Sequence, residues 1–197
     1  MFKKILLIVA FTVLAVIGVS PVAYAEGDIP ESEARALYEQ VMASPDPEDA
    51  YDALGTRERL AVDRYVMPYE TVTETVTEVV DIPGDAAFDS NNVSCLTNVE
   101  YERKKTWYGL TVATYKSWTF FCYDGDEVLS ADFRPDGYTH FIGWSFLGHL
   151  YTNESYGPHN EYHTDYAKGD FQHCFLRQCS RWRPSITKTH WNDGHTS

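Results

Sequence analysis

The chain has 197 residues, of which 44% are hydrophobic and 23% charged, with a formal net charge of −13 at pH 7. That is enough chain for one ordinary domain with its own core, or a small domain plus a helical appendage. The acidic balance argues against nucleic acid or an anionic lipid surface as a partner, since both require a positive face.

The first 25 residues read as a secretory signal peptide. Lys3 and Lys4 precede a 15-residue apolar run, residues 5–19, interrupted only by Thr12 and Gly18. Ser20-Pro21 ends it, and Ala23-Tyr24-Ala25 has the small-x-small form of a cleavage site. A spanning helix needs about 20 apolar residues, and this run is shorter. No cysteine follows it directly, so the site is not that of a lipoprotein. The expectation is a mature chain, residues 26–197, that is secreted and has no stable membrane span. Loss of Lys3 and Lys4 takes the net charge from −13 to −15. Residues 26–102 carry 19 acids and 4 bases, whereas residues 103–197 carry 10 of each. The acidic half is a solvated surface or an arm for a basic protein partner.

Residues 26–67 read as two or three short amphipathic helices. Glu31 and Glu33 follow Ile29-Pro30 and suit a helix N-terminus, and Ala34, Leu37 and Val41 form a stripe at helical spacing. Ser44-Pro45-Asp46-Pro47 ends this helix and can start another through Asp49, Ala50, Tyr51, Ala53 and Leu54. Gly55 breaks the run, Thr56 can cap a third helix bearing Leu60, Val62, Tyr65 and Val66, and Pro68 stops it. Helices this short need a surface to pack on.

From Tyr69 the period becomes two. Residues 71–80 alternate β-branched residues with Glu74 and Glu78, as an edge or first strand does. Asp81-Ile82-Pro83-Gly84 reads as a turn and residues 88–92 as a polar loop. Residues 93–101 and 106–114 read as strands on either side of Arg103-Lys104-Lys105. Trp118, Phe120 and Cys122 alternate with Thr119, Phe121 and Tyr123, so both faces of the next strand carry aromatics. Asp124-Gly125 is a hairpin signal, Leu129, Ala131 and Phe133 alternate after it, and Arg134-Pro135-Asp136-Gly137 reads as another turn. Residues 138–151 read as a long strand or a bulged pair, with Gly143 and Gly148 as the bulge or crossing points, and residues 153–160 as a loop. Residues 162–166, 171–177 and 186–191 complete the strands, with Lys168-Gly169-Asp170 as a turn between the first two. Residues 68–197 are therefore expected to form a mainly β domain of eight or nine short strands. The expected form is an antiparallel β-sandwich, with a β-barrel as the alternative.

Cys95, Cys122, Cys174 and Cys179 allow two bridges in three pairings, and in a secreted chain they are expected to be oxidised. Locality favours Cys95–Cys122 and Cys174–Cys179, worth roughly 3.6 and 2.2 kcal/mol by chain entropy. A four-cysteine zinc site is disfavoured, because no C-x2-C pair is present.

All seven histidines lie at or after His140. His159 and His163, with Glu161, Asp165 and His173 nearby, are the weak candidates for a metal. On an extended chain His159 and His163 would be about 13 Å apart, so a curled loop would be required. Gly143-Trp144-Ser145-Phe146-Leu147 lacks the glycine that a nucleophile elbow needs two residues after serine. Asp124, Asp126, Glu127, Asp132 and Asp136 read as turn residues rather than a glycosidase pair. No phosphate-cradling loop is present, and no cofactor is expected. Asn92-Val93-Ser94 and Asn153-Glu154-Ser155 match the glycosylation pattern.

The aromatic strand ending Phe121-Cys122-Tyr123-Asp124-Gly125, the Gly143-Trp144-Ser145-Phe146 box and the late Cys174/Cys179 pair resemble a group of small secreted actinobacterial proteins. That resemblance covers roughly the C-terminal half. It implies a helical N-terminal stretch and a cysteine-stapled, Trp/Tyr-rich β domain, and no catalytic residue.

The leading expectation of function is a non-catalytic module for a surface ligand, such as a cell-envelope or environmental polysaccharide. Sugar rings stack on exposed aromatic faces, and the candidates are Trp107, Tyr108, Trp182 and Trp191, with Arg181 and Arg183 flanking Trp182. The alternatives are an inhibitor- or toxin-like protein binding an extracellular partner through the acidic helices, and a hydrolase built from His159, Glu161, His163 and His173.

Overall fold

The computed structural model describes residues 28–80 and 93–197. The expected signal peptide, the turn expected at residues 81–84, the loop expected at residues 88–92 and Asn92 of the first sequon lie outside the described residues.

Three helices open the described chain: α1 (Glu31–Met42), α2 (Pro47–Asp52) and α3 (Thr56–Val66). Glu31 and Glu33 occupy the first turn of α1, where the helix dipole favours acids. Asp46 caps α2, its Oδ1 accepting from the backbone N–H groups of Glu48 and Asp49 at 3.1 Å. The N-cap of α3 is Gly55 rather than Thr56. Glycine has no side chain to cap with, and the bond made instead runs from Gly55 N–H to Glu58 Oε2, 2.8 Å.

The β domain has eight strands in the described residues: β1 (Pro68–Val80), β2 (Ser94–Thr106), β3 (Thr111–Tyr123), β4 (Val128–Thr139), β5 (Trp144–Tyr156), β6 (Tyr162–Phe175), β7 (Gln178–Trp182) and β8 (Ser185–Trp191). All pairings are antiparallel. One sheet runs β1-β2-β3-β4. In the second, β6 pairs with β5 along one edge and with β7 and then β8 along the other. The two sheets form a sandwich rather than the alternative closed barrel. Among the described residues no helix is long and apolar enough to cross a membrane.

Several segments expected to separate strands are themselves strand. Arg103-Lys104-Lys105 continues β2, and the chain turns instead at Trp107-Tyr108-Gly109, where Gly109 takes φ +78°. Arg103 stays in the strand because it pairs with Glu74 across the ladder and lies over Tyr101. Arg134-Pro135-Asp136-Gly137 lies inside β4. An edge strand tolerates proline's missing donor, and Gly137 is small because Phe146 lies over it. Lys168-Gly169-Asp170 continues β6, with Tyr115 packed on Gly169. β5 runs on to Tyr156, through residues expected to be loop, before the 3-10 turn Pro158–Asn160. β7 was not expected as a separate strand.

Both disulfides join directly opposed residues of neighbouring strands, Cys95 with Cys122 and Cys174 with Cys179, each with Cα atoms 4.1 Å apart. The pairing favoured by locality is the one formed.

Between the sheets, Val112, Ala113 and Tyr115 of β3 meet Trp144, Phe171, Ala167 and Ile186. A smaller cluster holds Leu96, Phe121 and Val128. The helices close one end of the sandwich. Tyr38 and Tyr65 pack on Phe141 at 6.0 and 5.2 Å, and Tyr51 on Phe175 at 5.7 Å.

Candidate ligand-binding face and a buried polar cluster

The six residues expected to bind ligand are dispersed. Trp107 and Tyr108 form the β2–β3 turn. Trp107 packs against Tyr69, ring centroids 4.5 Å apart, and beneath the Arg64 guanidinium at 4.7 Å. Tyr108 donates its hydroxyl to the Ile29 carbonyl at 2.8 Å, pinning the turn to the helices. Trp182 is half-buried against Phe171 (4.9 Å) and Trp144 (6.4 Å). Arg181 and Arg183 both engage Asp170, at 2.6 and 3.4 Å. Trp191 packs on Tyr162 at 5.0 Å. Trp182 pairs with Phe171 and Trp191 with Tyr162. Those partners are nine residues apart on β6, a separation of roughly 30 Å.

A more continuous aromatic surface lies on the outer face of the first sheet. Tyr115 and Phe121 of β3 point to the inter-sheet core, so the alternate residues Lys116, Trp118 and Phe120 point outward. The register places Tyr101 across from Lys116, Arg134 across from Trp118, and Asp136 across from Lys116 on the other side. Trp118 and Phe120 are stacked, centroids 6.5 Å apart and 14° between planes, and both are partly exposed. Each of three cations lies over a ring: Arg134 over Trp118 (5.4 Å), Lys116 over Tyr138 (5.6 Å) and Arg103 over Tyr101 (4.6 Å). Asp132 holds Arg134 through Nε–Oδ1, 3.1 Å, and a second bond to Oδ2. A shallow groove of 330 Å³ runs between Lys116, Trp118, Arg134, Pro135 and Asp136. A second, deeper groove of 440 Å³ lies between α2, α3 and the β6–β7 hairpin, with Glu48, Asp52, Asp63, Tyr51 and Arg177 in its walls. Burial and a 2.7 Å hydrogen bond to Asp63 push the Tyr51 hydroxyl up to about 12.

The inner face of β6 reads His163, Asp165, Ala167, Gly169, Phe171, His173, Phe175, apolar in the middle and polar at the start. Asp165, 1% exposed, accepts at Oδ2 from Thr119 Oγ1 (2.5 Å) and lies 2.9 Å from His190 Nε2. His163 is fully buried. Its Nδ1 is 3.1 Å from Asp165 Oδ1 and its Nε2 3.5 Å from Glu154 Oε2. Neither ring nitrogen makes a hydrogen bond, and neither does Asp165 Oδ1, so these short approaches are off the donor axis. Burial pulls the His163 imidazole below its ordinary pKa, outweighing the attraction of Asp165. Burial, then the neighbouring Asp165, raises the Glu154 carboxyl. Nearby, Lys188 and Glu100 pair at 2.6 Å between the sheets.

The weak metal candidates do not converge. His159 lies exposed in the 3-10 turn with φ +53°, followed by exposed Glu161. His173 stacks on Trp144 at 4.9 Å, where burial lowers its pKa. It is ten residues from His163 on one continuous strand, roughly 33 Å away. Sequence reasoning placed Asp165 near His163 but missed Glu154 as their neighbour, and missed Trp118 and Phe120 as a surface. The alternation at positions 116, 118 and 120 was the available signal for the second. The first needed the β5–β6 register, in which Glu154 opposes Asp165.

No protein-family model, no curated protein and no solved structure matches this chain.

Proposed function

We propose that the protein is a secreted, non-catalytic module that binds a polysaccharide of the cell envelope or the surroundings. Its binding surface is the outer face of the first sheet. The observation that carries this reading is the stacked Trp118–Phe120 pair beside the Lys116/Arg134/Asp136 groove. A sugar ring buries its apolar face on such rings, while flanking charged and polar groups fix its orientation. Two disulfides and the cleavable-type leader support secretion.

Co-sedimentation with insoluble polysaccharides and isolated cell envelopes tests this reading, at low and high salt. Binding is expected to persist at high salt and to fall at least tenfold in Trp118→Ala and Phe120→Ala, with the fold retained. Binding unchanged in the Trp118→Ala/Phe120→Ala double variant would overturn it.

The acidic groove beside α2 supports a second reading, an extracellular basic protein as partner. Glu48, Asp52 and Asp63 line it. Such binding would weaken steeply with salt and would be lost in Asp52→Asn/Asp63→Asn rather than in the Trp118 variant.

A further inference from the structure

His163 and Asp165 are two residues apart on β6 and share its inner face, and Glu154 stands directly across from Asp165 on β5. Thr119 and His190 both engage Asp165 Oδ2 and so turn the other oxygen, Oδ1, toward His163. Three donor atoms here are buried and without a hydrogen bond: Asp165 Oδ1 and both ring nitrogens of His163. Buried polar groups in folded proteins are almost always satisfied, and an exception points to a role or to a missing ion.

We propose that His163, Asp165 and Glu154 bind a single divalent ion of the zinc class. One donor atom from each residue lies within 4.8 Å of the other two. Bonds of about 2.1 Å at tetrahedral angles put neighbouring ligands about 3.4 Å apart. The ion takes one ring nitrogen of His163, of which Nδ1 is 3.1 Å from Asp165 Oδ1 and Nε2 is 3.5 Å from Glu154 Oε2, and the third ligand atom closes in from within 4.8 Å. The donor set, one imidazole and two carboxylates, suits zinc or a similar transition ion. Calcium takes six to eight oxygens. Thr119 and His190 have the position of outer-shell groups that orient a ligating carboxylate. His163 and Asp165 are closed off by the sandwich, but the Glu154 side chain is 46% exposed. An ion can therefore enter from that side and keep a fourth position for water. This site lies between the sheets and does not depend on the outer-face reading.

The experiment is calorimetric titration of untagged, chelator-dialysed protein with zinc chloride, and separately with calcium chloride, alongside imidazole NMR spectra. One zinc per chain is expected, with the His163 ring resonances shifted. Glu154→Gln changes a partly exposed residue and is expected to weaken zinc at least tenfold with the thermal midpoint of the metal-free protein preserved. The control His159→Ala/His195→Ala, at two exposed histidines, is expected to leave affinity unchanged. No zinc binding, calcium bound in preference, affinity unaffected by Glu154→Gln, or affinity lost in the His159→Ala/His195→Ala control would overturn the proposal.

Discussion

Gly169→Ala separates a turn from a packed strand at the centre of the molecule. Gly169 does not have a left-handed φ, so in a free turn alanine would be tolerated, and would even stabilise by about 0.4–1 kcal/mol through the unfolded chain. In the structure Gly169 lies in β6 beneath the ring of Tyr115. A Cβ there would sit 2.8 Å from Tyr115 Cε2 and 2.9 Å from Cδ2. Tyr115 cannot simply swing away. It is fully buried, packs edge-on to Phe171 at 6.1 Å, and its hydroxyl is 3.0 Å from His149 Nδ1. Overpacking of this kind costs about 1–3 kcal/mol, or a fall in Tm of roughly 2–12 °C for a chain of this size. Urea unfolding of the oxidised protein, followed by tryptophan fluorescence, measures it. A double-mutant cycle with Tyr115→Leu gives the sharper readout. Removing the ring should release most of the penalty, leaving a coupling of at least about 1 kcal/mol. A neutral or stabilising Gly169→Ala, or an equal cost in the Tyr115→Leu background, would refute the packing described for β6.

Three further outcomes are expected. Replacing Cys95 and Cys122 by alanine should lower stability by about 3.6 kcal/mol and replacing Cys174 and Cys179 by about 2.2 kcal/mol, because the first closes a longer loop; equal losses in denaturant unfolding would contradict this. His173 is held neutral by burial, its folded pKa below its unfolded one. It therefore contributes stability that is present above the unfolded pKa of about 6.5 and is lost as pH falls below that value. His173→Gln should flatten the acid side of the stability–pH profile, and an unchanged slope there would count against it. Glu100→Gln leaves the largely buried Lys188 ammonium without its 2.6 Å partner and should cost about 1–3 kcal/mol. A change below about 0.5 kcal/mol, the level of ordinary surface substitutions, would show that the pair is effectively solvated.

Local chemistry in the sequence determined a good deal. Period-two alternation from Tyr69 onward, helical spacing in residues 30–67 and paired short-range cysteines led to a sandwich ahead of a barrel, to two or three helices, and to the disulfide pairing that locality favours. These features depend on neighbours a few residues away or on a loop of fewer than thirty. Two of the errors share one cause. Arg134-Pro135-Asp136-Gly137 and Lys168-Gly169-Asp170 have turn composition, yet both are strand. Phe146 lies over Gly137 and Tyr115 over Gly169, so each glycine answers a ring from another strand rather than a bend in its own. Tertiary structure alone decided which aromatics are exposed and which donors meet. Trp118 faces out because Tyr115 and Phe121 are drawn to the core, and Trp182 turns in for the same reason. Asp165 shares a face with His163 by its spacing on β6, but Glu154 and His190 reach the pair only through the pairing of β6 with β5 and β8, contacts that no spacing along the chain encodes.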